Sequence, residues 1–187
     1  MIIVISGPSG VGKGVVSKAL LELDPKFEIA ITCTTRKPRE TEKDGVDYFF
    51  VDEDEFRKMI QEGKLAEYSV VHGNWYGVPL SYIEKGLSNI KDVIFQIDVQ
   101  GAKKIKNQYD KAILIFLMPP NIETLLERLN KRGTENTIEI EKRTKRAKEE
   151  IEERYIYDYV VVNDDLERCV KEIYEIILKE RTLRKDS

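Results

Sequence analysis

Four short runs along this chain are almost continuously apolar: residues 2–6, 93–97, 112–117 and 159–162. A strand covered on one face alternates apolar and polar positions. Unbroken runs of this length therefore predict strands buried on both faces, as in a parallel sheet. Between them, apolar positions recur at helical spacing over residues 15–23, 99–107, 122–130 and 166–183. In the last of these, Val170, Ile173, Ile176 and Ile177 turn one face toward a core. Strands alternating with helices predict an α/β sheet with right-handed crossovers, and ligands at the carboxyl ends of its strands. Residues 27–31 supply a fifth strand.

Two segments break this rhythm. Residues 33–80 are polar and aromatic, with strand-like pieces at 47–51, 66–71 and 74–78 and a short helix at 54–61, which reads as an inserted lobe with its own small sheet. Residues 128–154 are almost wholly charged, helical but interrupted at Gly133 and Thr134. Such a composition forms little core and reads as a solvated flap over a site. The remainder, residues 1–32, 81–127 and 155–187, forms the core of a single domain and ends in a polar tail.

Composition narrows the classes. The 187 residues are enough for one core, and 41% hydrophobic with 35% charged residues describes a globular protein with a heavily ionised surface. A net charge of −3 argues against a general nucleic-acid or membrane binder. No apolar run approaches the ~20 residues of a membrane span. The first strand starts at residue 2 and leaves no room for a targeting segment, so a cytoplasmic location is expected. Cys33 and Cys169 stand far apart and indicate neither a disulfide framework nor a zinc site; reduced thiols in or near the core are expected.

Chemistry concentrates first in Gly7-Pro-Ser-Gly-Val-Gly-Lys13-Gly14, between the first strand and the first helix. Glycines 7, 10 and 12 allow turns barred to residues with a Cβ, so successive N–H groups can face a phosphate. The helix N-terminus adds partial positive charge, and Lys13 can reach the terminal phosphates of a nucleotide. The hydroxyl residue expected after this lysine is missing: Gly14 and Val15 follow it. A second phosphate site is suggested by Arg36 and Arg39 around Pro38, in the company of the Tyr48 and Tyr76 hydroxyls. By itself such a run also reads as a charged loop facing water. Glu67 sharpens the choice, because one carboxylate can accept from both N1–H and N2–H₂ of guanine, while adenine offers no matching pair of donors.

Taken in order, SGPSGVGKG, TCTTRKPR with DGVDYFFV, GNWYGVP, the run at residues 97–101, RGTE and VVND make the chain resemble a guanylate kinase from Ile2 to beyond Asn163. The resemblance implies a P-loop NTPase-like three-layer core with a parallel sheet flanked by helices, a GMP-binding lobe at 33–80 and a charged helical lid at 128–154. It implies transfer of the γ-phosphoryl group of ATP, with Mg²⁺, to GMP and dGMP. Arg36, Arg39, Tyr48 and Tyr76 would then hold the GMP phosphate, while Thr32, Glu67 and Asp98 would read guanine or its surroundings. The backbone of Ser9, Gly10, Val11, Gly12, Lys13 and Gly14, with the Lys13 amine, would hold the ATP phosphates. Lys13, Arg132 and Arg143 would supply catalytic positive charge, and Asn163 would lie near adenine.

Three departures from the family pattern qualify this. Gly14 with Val15 removes a hydroxyl that often ligates Mg²⁺, Gln96 stands where an acid is usual, and Val78 replaces a Ser or Thr. The metal is therefore expected on phosphate oxygens and water, with no direct protein ligand and Asp98 acting at most through water. Two rival readings remain: a catalytically silent relative that binds a protein partner, and a kinase of another phosphorylated acceptor. A homodimer would be ordinary for a small enzyme, yet no residue marks an interface. His72 reads as structural, Trp75 as packing of the lobe, and Lys103, Lys104 and Lys106 as the wet face of a helix.

Overall fold

The computed structural model describes residues 1–71, 73–88, 90–130 and 137–184, with backbone alone for 129, 130 and 137–143. His72 and Arg132 lie outside the described residues, and Arg143 lies outside the described side chains. The chain divides into two compact units, Met1–Val4 with Pro25–Ala112 and Ile5–Asp24 with Ile113–Ser187. One sheet runs in the order β2 (Phe27–Ile29), β7 (Asp92–Gln96), β1 (Ile2–Ser6), β8 (Ile113–Met118), β9 (Tyr159–Val162).

In the first unit β2 pairs in parallel with β7, from Phe27 opposite Asp92 to Ile29 opposite Ile94. The unbroken apolar sequence has the expected consequence here: Val93, Ile94 and Phe95 are fully buried. Helix α4 (Val99–Gln108) follows, capped by the Asp98 carboxylate, which accepts from Gly101 N–H at 2.9 Å. A second sheet runs β4 (Phe49–Phe50), β3 (Cys33–Thr34), β6 (Asn74–Pro79), β5 (Leu65–Val71). Its helix α2 (Glu53–Gln61) starts from an Asp52 cap with three acids in the first turn, and buries Phe56 against Trp75, ring centroids 5.7 Å apart.

One expectation is corrected in this unit and one element is added to it. The core strand from residue 27 ends at Ile29, and Cys33–Thr34 belongs to the small sheet, where Cys33 faces both Phe49 and Gly77. Residues 80–87, to which the sequence reading assigns no element, form α3 (Leu80–Leu87), with Leu80, Ile83 and Leu87 at helical spacing, which packs on β7. Gly86 lowers the helix propensity of this segment for a packing reason: a Cβ there would stand 2.9 Å from Ile2 Cγ1, so close approach to the sheet takes precedence.

In the second unit β8 pairs in parallel with β9, from Ile115 opposite Tyr159 to Met118 opposite Val162. β9 is the edge, and Val160 and Val162 are exposed rather than covered on both faces as the apolar run predicts. Helix α1 (Lys13–Leu23) packs on α7 (Leu166–Leu183), with Cys169, Val170, Ile173 and Ile177 buried and an Asp24–Arg181 ion pair at 2.6 Å. Helices α5 (Ile122–Asn130) and α6 (Thr137–Glu152) carry the charged segment. Both cysteines are free and buried, and burial pushes each thiol up to about 11, which makes them inert. No described helix is long and apolar enough to cross a membrane.

Candidate functional site

In the second unit β1 ends at Ser6 and the chain turns through the glycine loop into α1. Gly7 has φ 138° and Gly12 φ 104°, conformations open to glycine and strained for other residues. Among the described residues no side chain caps the first turn of α1, and no acid stands in that turn, so the positive end of the helix remains available to an anion. Lys13 lies over the loop, its amine donating to the carbonyls of Gly7 and, at 3.2 Å, Pro8. A Cβ on Gly7 would fall 2.4 Å from the backbone oxygen of Leu117. Gly7→Ala is thus expected to destabilise the protein by about 2 kcal/mol or more and to lower Tm by about 4–8 °C, read in a thermal melt.

The loop is braced from outside. The Val11 carbonyl accepts from Asn163 Nδ2 at 2.8 Å and from Arg128 Nη1 at 3.3 Å, and Arg128 Nη2 donates to the Asn163 carbonyl at 3.2 Å. In a trans peptide C=O and N–H point opposite ways, so fixing the Val11 carbonyl also fixes the direction of Gly12 N–H. Asn163 is buried, and its amide fills the space a Cβ at Gly12 would need, 2.6 Å away. Its Nδ2 is engaged with the loop itself. Arg128, grouped by composition with the charged flap, was not legible as a loop contact because its partner is 117 residues away.

In the first unit the turn after β3 brings Arg36, Arg39, Tyr48 and Tyr76 together. Arg36 Nε donates to the Tyr76 hydroxyl at 3.2 Å, its guanidinium carbon lies 5.3 Å from the Tyr48 ring centroid, and the two tyrosine rings meet edge-on at 6.1 Å. A residue that sequence reasoning missed joins them. Glu42 accepts from Arg36 Nη2 at 2.8 and 2.9 Å and from Arg39 Nη1 at 3.5 Å. Its sequence signal is slight, an acid three residues after Arg39.

Glu67, on β5, is 4% exposed, and its Oε2 has no hydrogen-bond partner among the described residues. The carboxylate sits against Gly101, where a Cβ would meet it at 3.0 Å. Burial, then the charge of Asp98, opposed by Lys104, pushes its pKa up to about 7. On β6 the residue opposite is Val78, fully buried, which offers the carboxylate no hydroxyl. Thr32, also buried, precedes β3 and accepts from Phe49 N–H through its carbonyl at 3.0 Å. Lys104 is not merely the wet face of α4: its amine donates to the Tyr68 carbonyl and stands 5.0 Å from the Tyr68 ring centroid, tying α4 to β5.

The shifted Glu67 has a stability signature. The folded chain holds this proton up to about pH 7, the unfolded chain only up to the ordinary 4.5. Its contribution is therefore fully present below pH 4.5 and is lost as pH rises to about 7, up to about 3 kcal/mol. Denaturant melts between pH 5 and 8 should show this loss in the wild type and not in Glu67→Gln.

Comparison with known proteins follows the same lines. A family model described as guanylate kinase matches residues 1–180. The chain is 48% identical over 185 residues to a guanylate kinase of Bacillus subtilis (strain 168), covering 98% of this chain and 91% of that one. It is 45% identical to one from Caldanaerobacter subterraneus subsp. tengcongensis, covering 97% and 88%. The crystal structure of guanylate kinase from Anaplasma phagocytophilum superposes with a TM-score of 0.79 at 35% identity, over 96% of this chain and 85% of that one. A gluconokinase from Sinorhizobium meliloti 1021 shares the fold alone, with a TM-score of 0.54 at 17% identity, covering 100% and 97%.

Proposed function

The chain belongs to the guanylate kinase family, and from that premise we propose that it transfers the γ-phosphoryl group of ATP to GMP, and to dGMP, giving ADP and GDP. The observation that carries the acceptor is Glu67: a buried carboxylate with one oxygen that has no partner among the described residues, suited to the paired donors of guanine. Thr32 and Asp98 complete the guanine side. Arg36, Arg39, Tyr48 and Tyr76 hold the acceptor phosphate, whose oxygen is already ionised and needs no general base. The N–H groups of residues 9–14 and the Lys13 amine hold the donor phosphates, and Asn163 supports their loop and the adenine end.

Phosphoryl transfer is a matter of aligning two anions and countering the charge that spreads in the transition state. Lys13 is one source of that countercharge; Arg132 and Arg143 are assigned to it by motif. Among the described residues no group of three or more His, Cys, Asp or Glu could hold a metal ion. Gly14 and Val15 offer no hydroxyl, and one oxygen of Asp98 is committed to capping α4. This donor set makes no protein cage for Mg²⁺ and suits an ion that arrives on the nucleotide, held by phosphate oxygens and water, with Asp98 at most through water. When bound, it supplies positive charge to the phosphates. The activity fits a cytoplasmic setting, where both nucleotides are present.

A coupled assay tests the reading. With ATP and Mg²⁺, ADP release should follow GMP and dGMP, and AMP and UMP should give little. Silence with every acceptor would favour a binding module, and preference for a non-guanine acceptor would overturn the role of Glu67.

A further inference from the structure

We propose that Glu42 is a positioning residue for the acceptor phosphate: it holds Arg36 and Arg39 as a preformed pair, and it stays in place when the phosphate arrives. The inference rests on the acceptor reading above. Two arginines flanking one proline repel each other and sample many rotamers when left alone. The Glu42 carboxylate, 12% exposed, removes both problems by accepting from Arg36 through both oxygens and from Arg39 Nη1.

It is also built into the turn. Glu42 Oε2 accepts from the Arg39 backbone N–H at 2.8 Å, while Glu42 N–H donates to the Arg39 carbonyl at 3.0 Å. These reciprocal bonds close residues 39–42 on themselves, so withdrawing the carboxylate would cost the turn one of its two bonds. The cluster keeps a net positive charge, two guanidinium groups against one carboxylate.

Arg36, once fixed, orients what is left. Its Nη1 donates to the Lys37 carbonyl at 2.7 Å and its Nε to Tyr76 Oη. A hydroxyl that accepts from Arg36 keeps its own proton for another acceptor. The donors offered to a phosphate are then the Tyr76 and Tyr48 hydroxyls, the second Nη1–H of Arg36 and the outer N–H groups of Arg39, several of them set in direction beforehand. A phosphate meeting them has less side-chain freedom to quench.

The test uses a ligand with and without the group in question. GMP and guanosine are titrated against wild type, Glu42→Gln and Glu42→Asp, following the fluorescence of Trp75 and checking folding by thermal melt. Glu42→Gln should weaken GMP binding about 10–100-fold, as loss of an orienting partner does, and leave guanosine binding within a factor of about two. KM for GMP should rise far more than kcat falls, and Glu42→Asp should recover part of the loss. Unchanged or tighter GMP binding would overturn the proposal, since Glu42 would then be a bystander or a competitor for the arginines. Equal weakening of GMP and guanosine would overturn it too, by reducing Glu42 to support of the lobe. If Glu42→Gln does not fold, Glu42→Asp decides by the same comparison. Wild-type protein that binds GMP no better than guanosine would instead overturn the acceptor reading itself.

Discussion

Lys13→Met is expected to lower kcat by ~10³ or more, the scale at which fixed countercharges act in phosphoryl transfer. The amine lies over the loop at the head of α1, in a turn that carries no acid to neutralise it. Methionine keeps much of the stem and removes the charge, so the loss falls on the transition state more than on the fold. Stability should fall by about 1–3 kcal/mol, the scale of a charged amine's hydrogen bonds to the Gly7 and Pro8 carbonyls. Steady-state kinetics beside a thermal melt checks both halves. A kcat within tenfold of wild type would remove Lys13 from the chemistry.

The second large effect has opposite signs in two measurements. Glu67→Gln should lower kcat/KM for GMP by ~10²–10⁴, because the amide turns an N–H₂ toward one of guanine's donors and leaves a buried pair mismatched. The same change should stabilise the empty protein above pH 7, where the wild type must hold a buried carboxylate in its charged form near Asp98. Wild-type affinity for GMP should rise with pH through about 7 as the carboxylate ionises, more steeply than that of the variant, which follows only the second ionisation of the GMP phosphate. A destabilised variant with normal GMP kinetics would identify Glu67 as structural. Stability lost by the natural residue and activity gained through it would mark a group kept for binding.

How far the sequence reveals this arrangement depends on the range of the interactions. The strands at 2–6, 93–97 and 112–117 are legible because burial on both faces leaves an unbroken apolar record, and the body of α2 is legible at 54–61, one residue short of its start at Glu53 after the Asp52 cap. Helix α3 is less so, since Gly86 lowers its propensity for the sake of Met1 and Ile2, more than 80 positions away. The site divides in the same manner. Glycines and lysine at fixed spacing declare the loop, whereas its braces, Arg128 and Asn163, reach Val11 from 117 and 152 residues away. Glu67 could be chosen for its chemistry, but its missing partner and its proximity to Asp98 and Lys104 arise only when β5 packs on α4. Glu42 looks like one more acid in a charged loop until the turn at 39–42 closes.

The central claim is that one chain carries phosphate from ATP to the phosphate of GMP. ³¹P NMR of the protein with ATP, Mg²⁺ and GMP observes donor and acceptor together. The account predicts that the GMP resonance declines while the signals of GDP and ADP grow in equal amounts, with little inorganic phosphate. ADP and inorganic phosphate beside unchanged GMP, or no change in any signal, would contradict it.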